Sequence, residues 1–148
     1  MRMIYFDMDG TIADLYAVKN WLPRLHNEDA TPYLEARPMC NMIILSELLR
    51  EAKAQGYGIG IITWLSKDAT KAYKKAIKQA KKQWLNNYLG VELDETHFVQ
   101  YGTRKDYVVK DKKGIIFDDD KRVRMWWKGE AYNPTEQNII EVLQEIVK

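Results

Sequence analysis

The sequence is poor in cysteine and histidine. Its single cysteine, Cys40, cannot form an internal disulfide, and the apolar residues around it predict a buried, inert thiol. The two histidines, His26 and His97, are far apart, and no Cys/His cluster has the spacing of a zinc site. Neither a serine–histidine–aspartate set nor a glycine-rich phosphate loop of the Walker type is present. These absences exclude several common kinds of hydrolase and metal site at the level of sequence motifs.

Long apolar runs and a strong charge of one sign are also missing. No apolar run approaches the length of a membrane span, and the acid at Asp7 comes too early for a signal peptide. The formal net charge of +2 is too small to indicate a nucleic-acid binder by itself. A hydrophobic content of 46% with 30% charged residues is typical of a globular protein. We therefore expect one cytoplasmic domain spanning residues 1–148, with no membrane partner.

Two acids directly follow the first apolar run. Met3–Phe6 is typical of a buried strand, and Asp-Gly is typical of the turn that ends it. An extended strand sends Asp7 and Asp9 to the same side. Two carboxylates this close resist double ionisation unless a cation or a proton intervenes. Taken alone the segment is also compatible with a surface turn, but at a strand end in an α/β sheet it predicts a metal site, a shared proton, or both in turn.

The same pattern recurs downstream. Three further polar groups follow apolar runs or occupy turns between them: Thr63 after residues 58–62, Lys105 in the turn 102–106, and Asp118, Asp119 and Asp120 after residues 114–117. Strands that alternate with helices predict a parallel sheet with helices on both faces. The carboxyl ends of such strands lie at one rim, so these side chains should converge there.

Apolar periodicity predicts the remaining elements. The expected helices cover residues 14–25 (with Pro23 as a breaker), 39–55, about 67–88, 123–127 and 135–147. We also expect a helical turn at 106–109, a short strand near 98–99 and irregular chain at 26–38. In the third helix five lysines form one stripe, Lys67, Lys71, Lys74, Lys78 and Lys81, opposite an apolar stripe that ends at Trp84. This stripe is either a solvated helix face or a phosphate-attracting surface.

The four polar groups, in this order, resemble the haloacid dehalogenase (HAD) superfamily of phosphotransferases. The resemblance extends from Met3 to about Tyr132, and the first motif, Phe6-Asp7-Met8-Asp9-Gly10-Thr11, matches residue by residue. It implies a HAD-like, Rossmann-like three-layer α/β sandwich in which the first strand is central. The family's cap domain would be inserted after the first motif, where only a small helical insert of about residues 14–38 fits. We therefore expect a minimal cap or none, and an open site.

The resemblance also implies a reaction and a magnesium cofactor. Asp7 would attack phosphorus and form an aspartyl-phosphate, and Asp9 would serve as general acid and base. Thr63 would bind a phosphoryl oxygen, and Lys105 would supply positive charge. The implied ligands of Mg²⁺ are Asp7, the backbone carbonyl of Asp9, and an acid of the last group, Asp118 or Asp119.

Two assignments have alternatives. Asp118 is preferred to Asp119 as the direct metal ligand by a narrow margin, and Asp120 is predicted to cap a helix. Lys105 competes with Lys110, Lys112 and Lys113, and it is preferred because it opens a helical turn well before the last strand.

The expected substrate is a nucleotide or the terminal phosphate of a nucleic acid. Residues 102–126 look like the phosphatase half of phage polynucleotide kinases, and residues 6–14 are similar to 5′-deoxyribonucleotidases. The residues expected to bind the substrate are Gly10, Thr11, Trp64 and Arg104. Trp64 would stack a base or, alternatively, pack against a helix. A protein that binds a nucleotide or phosphorylated signal without turnover is the alternative function, although a pure binder has no need of Asp9.

Overall fold

The computed structural model describes all 148 residues and is built around one parallel sheet of five strands. The strands of this sheet are β1 (Met3–Phe6), β4 (Gly58–Trp64), β5 (Glu95–Val99), β6 (Ile115–Phe117) and β7 (Ala131–Tyr132), in the order β5-β4-β1-β6-β7. Two short strands, β2 (Ala13–Asp14) and β3 (Arg37–Pro38), pair separately as an antiparallel ribbon. Every pairing in the main sheet is parallel. The predicted central position of the first strand is confirmed.

Seven α-helices connect and cover these strands. They are α1 (Trp21–His26), α2 (Thr31–Glu35), α3 (Met42–Ala54), α4 (Lys71–Tyr88), α5 (Lys105–Val108), α6 (Lys121–Trp126) and α7 (Ile139–Ile146). Polar side chains cap several of them, because the first backbone N–H groups of a helix lack partners within it. Asp120 caps α6 by accepting from the N–H groups of Arg122 and Val123, as predicted. None of the helices is both long and apolar enough to cross a membrane.

Alternate residues of β1 face two separate clusters of buried side chains. Ile4 and Phe6 belong to the larger cluster, which includes Leu49 of α3 and Leu143 of α7. Met3 and Tyr5 belong to a second cluster, which includes residues of α6 and the loop after it. Because successive strand residues point to opposite faces, the sheet is covered on both sides. The predicted three-layer α/β fold with a central parallel sheet is confirmed.

The segment between β2 and β3 differs from its prediction. A single helix over 14–25 is wrong: a 3₁₀ turn at Leu15–Ala17 is separated from α1 by Asn20, which has φ of 57°. Pro23 does not break a helix but lies in the first turn of α1, where a missing N–H costs nothing. Pro32 lies in the first turn of α2 in the same way, so the expected irregular chain at 26–38 contains a helix and a strand.

Candidate active site

A cavity of about 360 Å³ opens at the carboxyl ends of the central strands. Its acidic and basic lining residues include Asp7, Asp9, Lys105, Asp118 and Asp119 at its floor; Lys67 and Asp120 also line it. Asp7 and Asp9 follow β1, Asp118 follows β6, and Thr63 lies at the end of β4. Because β4 and β6 both pair in parallel with β1, these strand ends lie side by side, as predicted. Thr63 is fully buried and does not itself line the cavity.

Lys105 joins two of the acids. Its Nζ donates to Oδ1 of Asp7 at 3.0 Å and to Oδ2 of Asp118 at 2.6 Å. All three side chains are almost completely buried. Burial disfavours the charged form of Lys105, but the two carboxylates outweigh it and hold its pKa above the ordinary value. Lys105 therefore remains a fixed positive charge beside Asp7, whereas Lys112 donates only to backbone carbonyls of residues 106–109.

Three carboxylates form a compact cluster at the floor of the cavity. Asp7, Asp118 and Asp119 each offer an oxygen within 4.8 Å of the other two. Burial and the charge of Asp7 raise the pKa of both Asp118 and Asp119. Such crowding is relieved by a cation, and hard carboxylate oxygens are the ligands that Mg²⁺ prefers. The residues present therefore fit the implied metal. The carboxylate of Asp9 lies outside this cluster. Binding of the metal by the backbone carbonyl of Asp9 stays a prediction.

A second buried lysine, which the sequence interpretation placed wrongly, contacts Asp9. Lys81 of α4 is fully buried and does not lie on the solvated lysine stripe. Its Nζ donates to Asp9 Oδ2 at 2.9 Å, to Thr63 Oγ1 at 2.6 Å and to the Trp64 carbonyl at 2.8 Å. The signal was present in the sequence: Lys81 is four residues after Ile77 and three before Trp84, both fully buried, which places it on the apolar face. Burial raises the pKa of Asp9, and the ammonium of Lys81 opposes that effect.

Gly10 and Thr11 shape the turn that holds the acids. Gly10 has φ of 78°, and a Cβ there would lie 2.3 Å from Oδ2 of Asp119, so only glycine fits. The Thr11 hydroxyl donates to Oδ2 of Asp7 at 3.2 Å. The backbone N–H groups of Gly10 and Thr11 donate to the carbonyls of Ala13 and Met8. Both residues thus support the acids, and direct contact with a substrate stays a prediction.

Trp64 and Arg104 occupy different surroundings. Trp64 lines the cavity, and its ring centroid lies 5.1 Å from Nζ of Lys105. Arg104 does not line the cavity. Its guanidinium pairs with both oxygens of Asp106 and lies over the ring of Trp126. The structure therefore brings Trp64, but not Arg104, to the acids of the cavity.

The insert supplies one wall of the cavity. This wall is largely aromatic and aliphatic and consists of Leu15, Tyr16, Trp21, Leu22, Leu25, His26 and Tyr33. Tyr16 and Trp21 meet edge to face with ring centroids 5.0 Å apart. His26 is the last residue of α1 and faces this cavity, whereas the sequence placed it in a polar loop. The insert is thus a small cap of short helices that covers part of the site.

Comparisons with known proteins give matches among solved structures alone. No protein-family model matches the chain, and no curated protein matches it either. Among solved structures, it is similar to D,D-heptose 1,7-bisphosphate phosphatase from Burkholderia thailandensis, with a TM-score of 0.48 and 13% sequence identity. The match covers 82% of this chain and 68% of that chain. A likeness of this degree does not bear on the reaction or the substrate.

Proposed function

We propose that this protein is a Mg²⁺-dependent phosphomonoester hydrolase that acts through an aspartyl-phosphate. The observation that carries the proposal is the pair of acids after β1 and their different partners. Asp7 is held by Lys105 and the Thr11 hydroxyl, whereas Asp9 is held by Lys81. Two neighbouring carboxylates in different surroundings suit different roles, one as nucleophile and one as acid and base.

The reaction has two steps. In the first, a carboxylate oxygen of Asp7 forms a bond to phosphorus, the bond from phosphorus to the leaving oxygen breaks, and Asp9 gives that oxygen a proton. In the second, Asp9 takes a proton from water, whose oxygen attacks phosphorus and releases Asp7 and inorganic phosphate. Lys105 and Thr63 offer donors to the phosphoryl oxygens. Lys105 is well suited to this role because burial and its two acid partners fix its position.

Asp7, Asp118, Asp119 and the carbonyl of Asp9 would hold the magnesium ion. When bound, the ion supplies positive charge that lowers the repulsion between an anionic nucleophile and an anionic substrate. Both oxygens of Asp118 already accept, one from Lys105 and one from the backbone N–H of Asp120. Asp119 accepts only a long bond from Thr11, at 3.5 Å. We therefore assign both acids to the metal, with Asp119 the less encumbered of the two.

The cavity walls favour a nucleotide or a nucleic-acid end over a sugar phosphate. Aromatic rings surround the acids on several sides: Tyr16, Trp21, Tyr33, Trp64 and Tyr101 all line the cavity. Each base stacked on an aromatic ring contributes about 1–3 kcal/mol to binding. A sugar has no flat face of comparable size, so it gains less from these walls.

A series of lysines runs from the cavity along α4 and beside β5. We call Lys67, Lys74, Lys78 and Lys82 the lysine groove. Lys67 lines the cavity and also the adjoining depression that contains Lys74. Lys78 and Lys82, about one and two turns further along α4, lie 5.8 and 5.9 Å from the ring centroid of Phe98. Positive charge that continues away from a phosphate site suits a longer polyanion, such as a nucleic-acid strand.

Phosphate release from p-nitrophenyl phosphate, with and without MgCl₂, tests the reaction. A panel of nucleotides, hexose phosphates and 3′- or 5′-phosphorylated oligonucleotides then tests the substrate class. We expect magnesium-dependent turnover of the small ester, and higher kcat/KM for members of the nucleotide group than for any hexose phosphate. Tight nucleotide binding without turnover of any ester would instead identify a binding protein.

A further inference from the structure

The buried ammonium of Lys81 is the strongest feature of the site that the proposed reaction leaves without a role. It comes from the middle of α4, 18 residues after Thr63, and none of its side chain is exposed. A charged lysine is rarely buried completely unless it is paired, because loss of hydration is costly. Here the three N–H groups of the ammonium match three acceptors: a carboxylate, a hydroxyl and a backbone carbonyl.

We propose that Lys81 is a positioning residue that orients Thr63 and Asp9 toward the phosphoryl group; this inference rests on the proposed function. The contact with Thr63 determines which way that hydroxyl can act. Because Oγ1 of Thr63 accepts from Lys81 at 2.6 Å, the hydrogen of this buried hydroxyl points away from the ammonium, and we assign it to a phosphoryl oxygen. Without Lys81, the hydroxyl could turn and donate to the carboxylate of Asp9 instead.

The contact with Asp9 likewise orients a side chain, in this case a carboxylate. Lys81 holds Oδ2 of Asp9 at 2.9 Å, which leaves Oδ1 as the oxygen that can exchange a proton with the leaving group or water. The third bond, to the carbonyl of Trp64, anchors the ammonium to the end of β4. Geometry fixed to within about 0.5 Å is what a catalytic group needs. One cation thus sets the direction of two side chains that come from different strands.

The small cap contributes to this arrangement. The ring of Tyr33 from α2 lies over Lys81, with Nζ 5.0 Å from the ring centroid. The hydroxyl of Tyr33 contacts Oγ of Ser66 just beyond β4. Tyr33 therefore shields the ammonium from water on the cavity side, because the ring is itself buried.

Lys81→Met tests the proposal, with Lys75→Met as the matched control. Methionine keeps much of the length and the apolar stem of lysine but removes the donors. Lys75 lies on the same helix, is exposed and is not part of the lysine groove. On p-nitrophenyl phosphate with saturating MgCl₂, we expect Lys81→Met to lower kcat about 10²- to 10³-fold, the usual effect of losing one such electrostatic contact. KM should change less than threefold and the melting temperature should fall only a few degrees. Lys75→Met should leave kcat on this small ester unchanged.

A double-mutant cycle with Thr63→Val separates positioning from structure. If Lys81 acts through Thr63, removing Lys81 should cost much less kcat once the hydroxyl is already gone. Fully additive losses, or a folded Lys81→Met protein with kcat within threefold of wild type, would overturn the proposal. Should Lys81→Met fail to fold, Lys81→Gln keeps an amide donor without the charge. Failure of both variants to fold would make Lys81 a structural residue and reject the positioning role.

Failure of the proposed function itself would look different. In that case the wild-type protein would not release phosphate from any ester. The cycle is then read by calorimetry with inorganic phosphate in MgCl₂, using the same four proteins. If Lys81→Met and Thr63→Val each lower the affinity for phosphate equally, and the double variant lowers it no further, the orientation of Thr63 by Lys81 is still supported. An unchanged affinity in Lys81→Met would refute it.

Discussion

The indole N–H of Trp64 donates to the backbone carbonyl of Thr103 at 2.9 Å. This bond ties the end of β4 to the turn that leads into Lys105, two residues further on. The same indole ring lies 5.1 Å from Nζ of Lys105. Trp64 therefore has two separable features, a ring that lines the cavity and an N–H that holds the turn before Lys105.

These two features predict different results for two substitutions. Trp64→Phe keeps a ring for stacking but loses the bond to Thr103, so it should lower kcat several-fold on all substrates by loosening Lys105. Trp64→Ala also loses the ring, so it should in addition raise KM for nucleotides about tenfold. A tenfold change corresponds to the loss of about 1–2 kcal/mol of stacking energy. KM for p-nitrophenyl phosphate should stay within threefold. Equal changes in KM on both substrates would mean that the ring is purely structural.

Turnover should depend on a divalent cation. The acids Asp7, Asp118 and Asp119 repel one another; burial and the charge of Asp7 raise the pKa of Asp118 and Asp119, and a cation relieves this repulsion. Excess EDTA should abolish phosphate release, and MgCl₂ should restore it. Asp119→Asn should raise the MgCl₂ concentration needed for half-maximal rate at least tenfold. Full activity in excess chelator would contradict the assignment of a metal to this cluster.

The two acids after β1 should respond differently to neutralisation. Asp7→Asn should lower kcat by at least about 10⁴-fold, because the attacking oxygen is lost. Asp9→Asn should cost about 10²- to 10⁴-fold, the usual contribution of general acid–base catalysis. Asp14→Asn, outside the cavity, is the control and should be unaffected. Mass spectrometry of acid-quenched wild type should detect a phosphorylated Asp7 peptide; near-normal turnover by Asp7→Asn would reassign the nucleophile.

The lysine groove should matter for long substrates only. Lys74→Glu with Lys78→Glu should lower kcat/KM on a phosphorylated oligonucleotide at least about tenfold at low salt, and the defect should shrink as salt screens the charges. Hydrolysis of p-nitrophenyl phosphate should hardly change. Lys110→Glu with Lys113→Glu gives the same change in net charge at the opposite end of the sheet. An equal defect in this control pair would indicate a general charge effect and not a groove.

Glu95 should stabilise the fold without taking part in turnover. Its buried carboxylate accepts from the Tyr5 hydroxyl, His97 and the N–H of Lys110. Burial favours the neutral acid, but these bonds outweigh it and hold the pKa of Glu95 below its ordinary 4.5. The stabilisation is therefore complete above pH 4.5 and lost as pH falls through the lower pKa of the folded state.

Glu95→Ala measures this contribution. It should lower the free energy of unfolding at pH 7 by about 1–3 kcal/mol, because buried donors lose their acceptor. Urea titrations at pH 7 and pH 3 check it, and the difference between wild type and variant should be smaller at pH 3. Glu92→Gln at an exposed neighbouring position is the control. A difference independent of pH would show that the charge of Glu95 contributes nothing.

Local patterns predicted the sheet and the acids well. An apolar strand that ends in polar residues can be recognised from a segment of about ten residues. The sequence therefore predicted β1, β4 and β6, and the polar side chains at their ends, in the right order. Parallel pairing with β1 then places Asp7, Thr63 and Asp118 at one end of the sheet, as expected. The edge strand β7 has only two residues and was missed, because so short a segment carries no periodicity of its own.

The sequence by itself determined the fold class and the groups after each central strand, because short-range alternation and turn chemistry encode both. Only the tertiary structure decided the position of Lys81, the wall built by the insert, and the separation of Arg104 from the cavity. Each of these depends on contacts between residues far apart in the chain. The spacing of Lys81 to Ile77 and Trp84 indicates the apolar face of α4. Only packing of that helix against β4 and α2, however, put the ammonium of Lys81 beside Asp9.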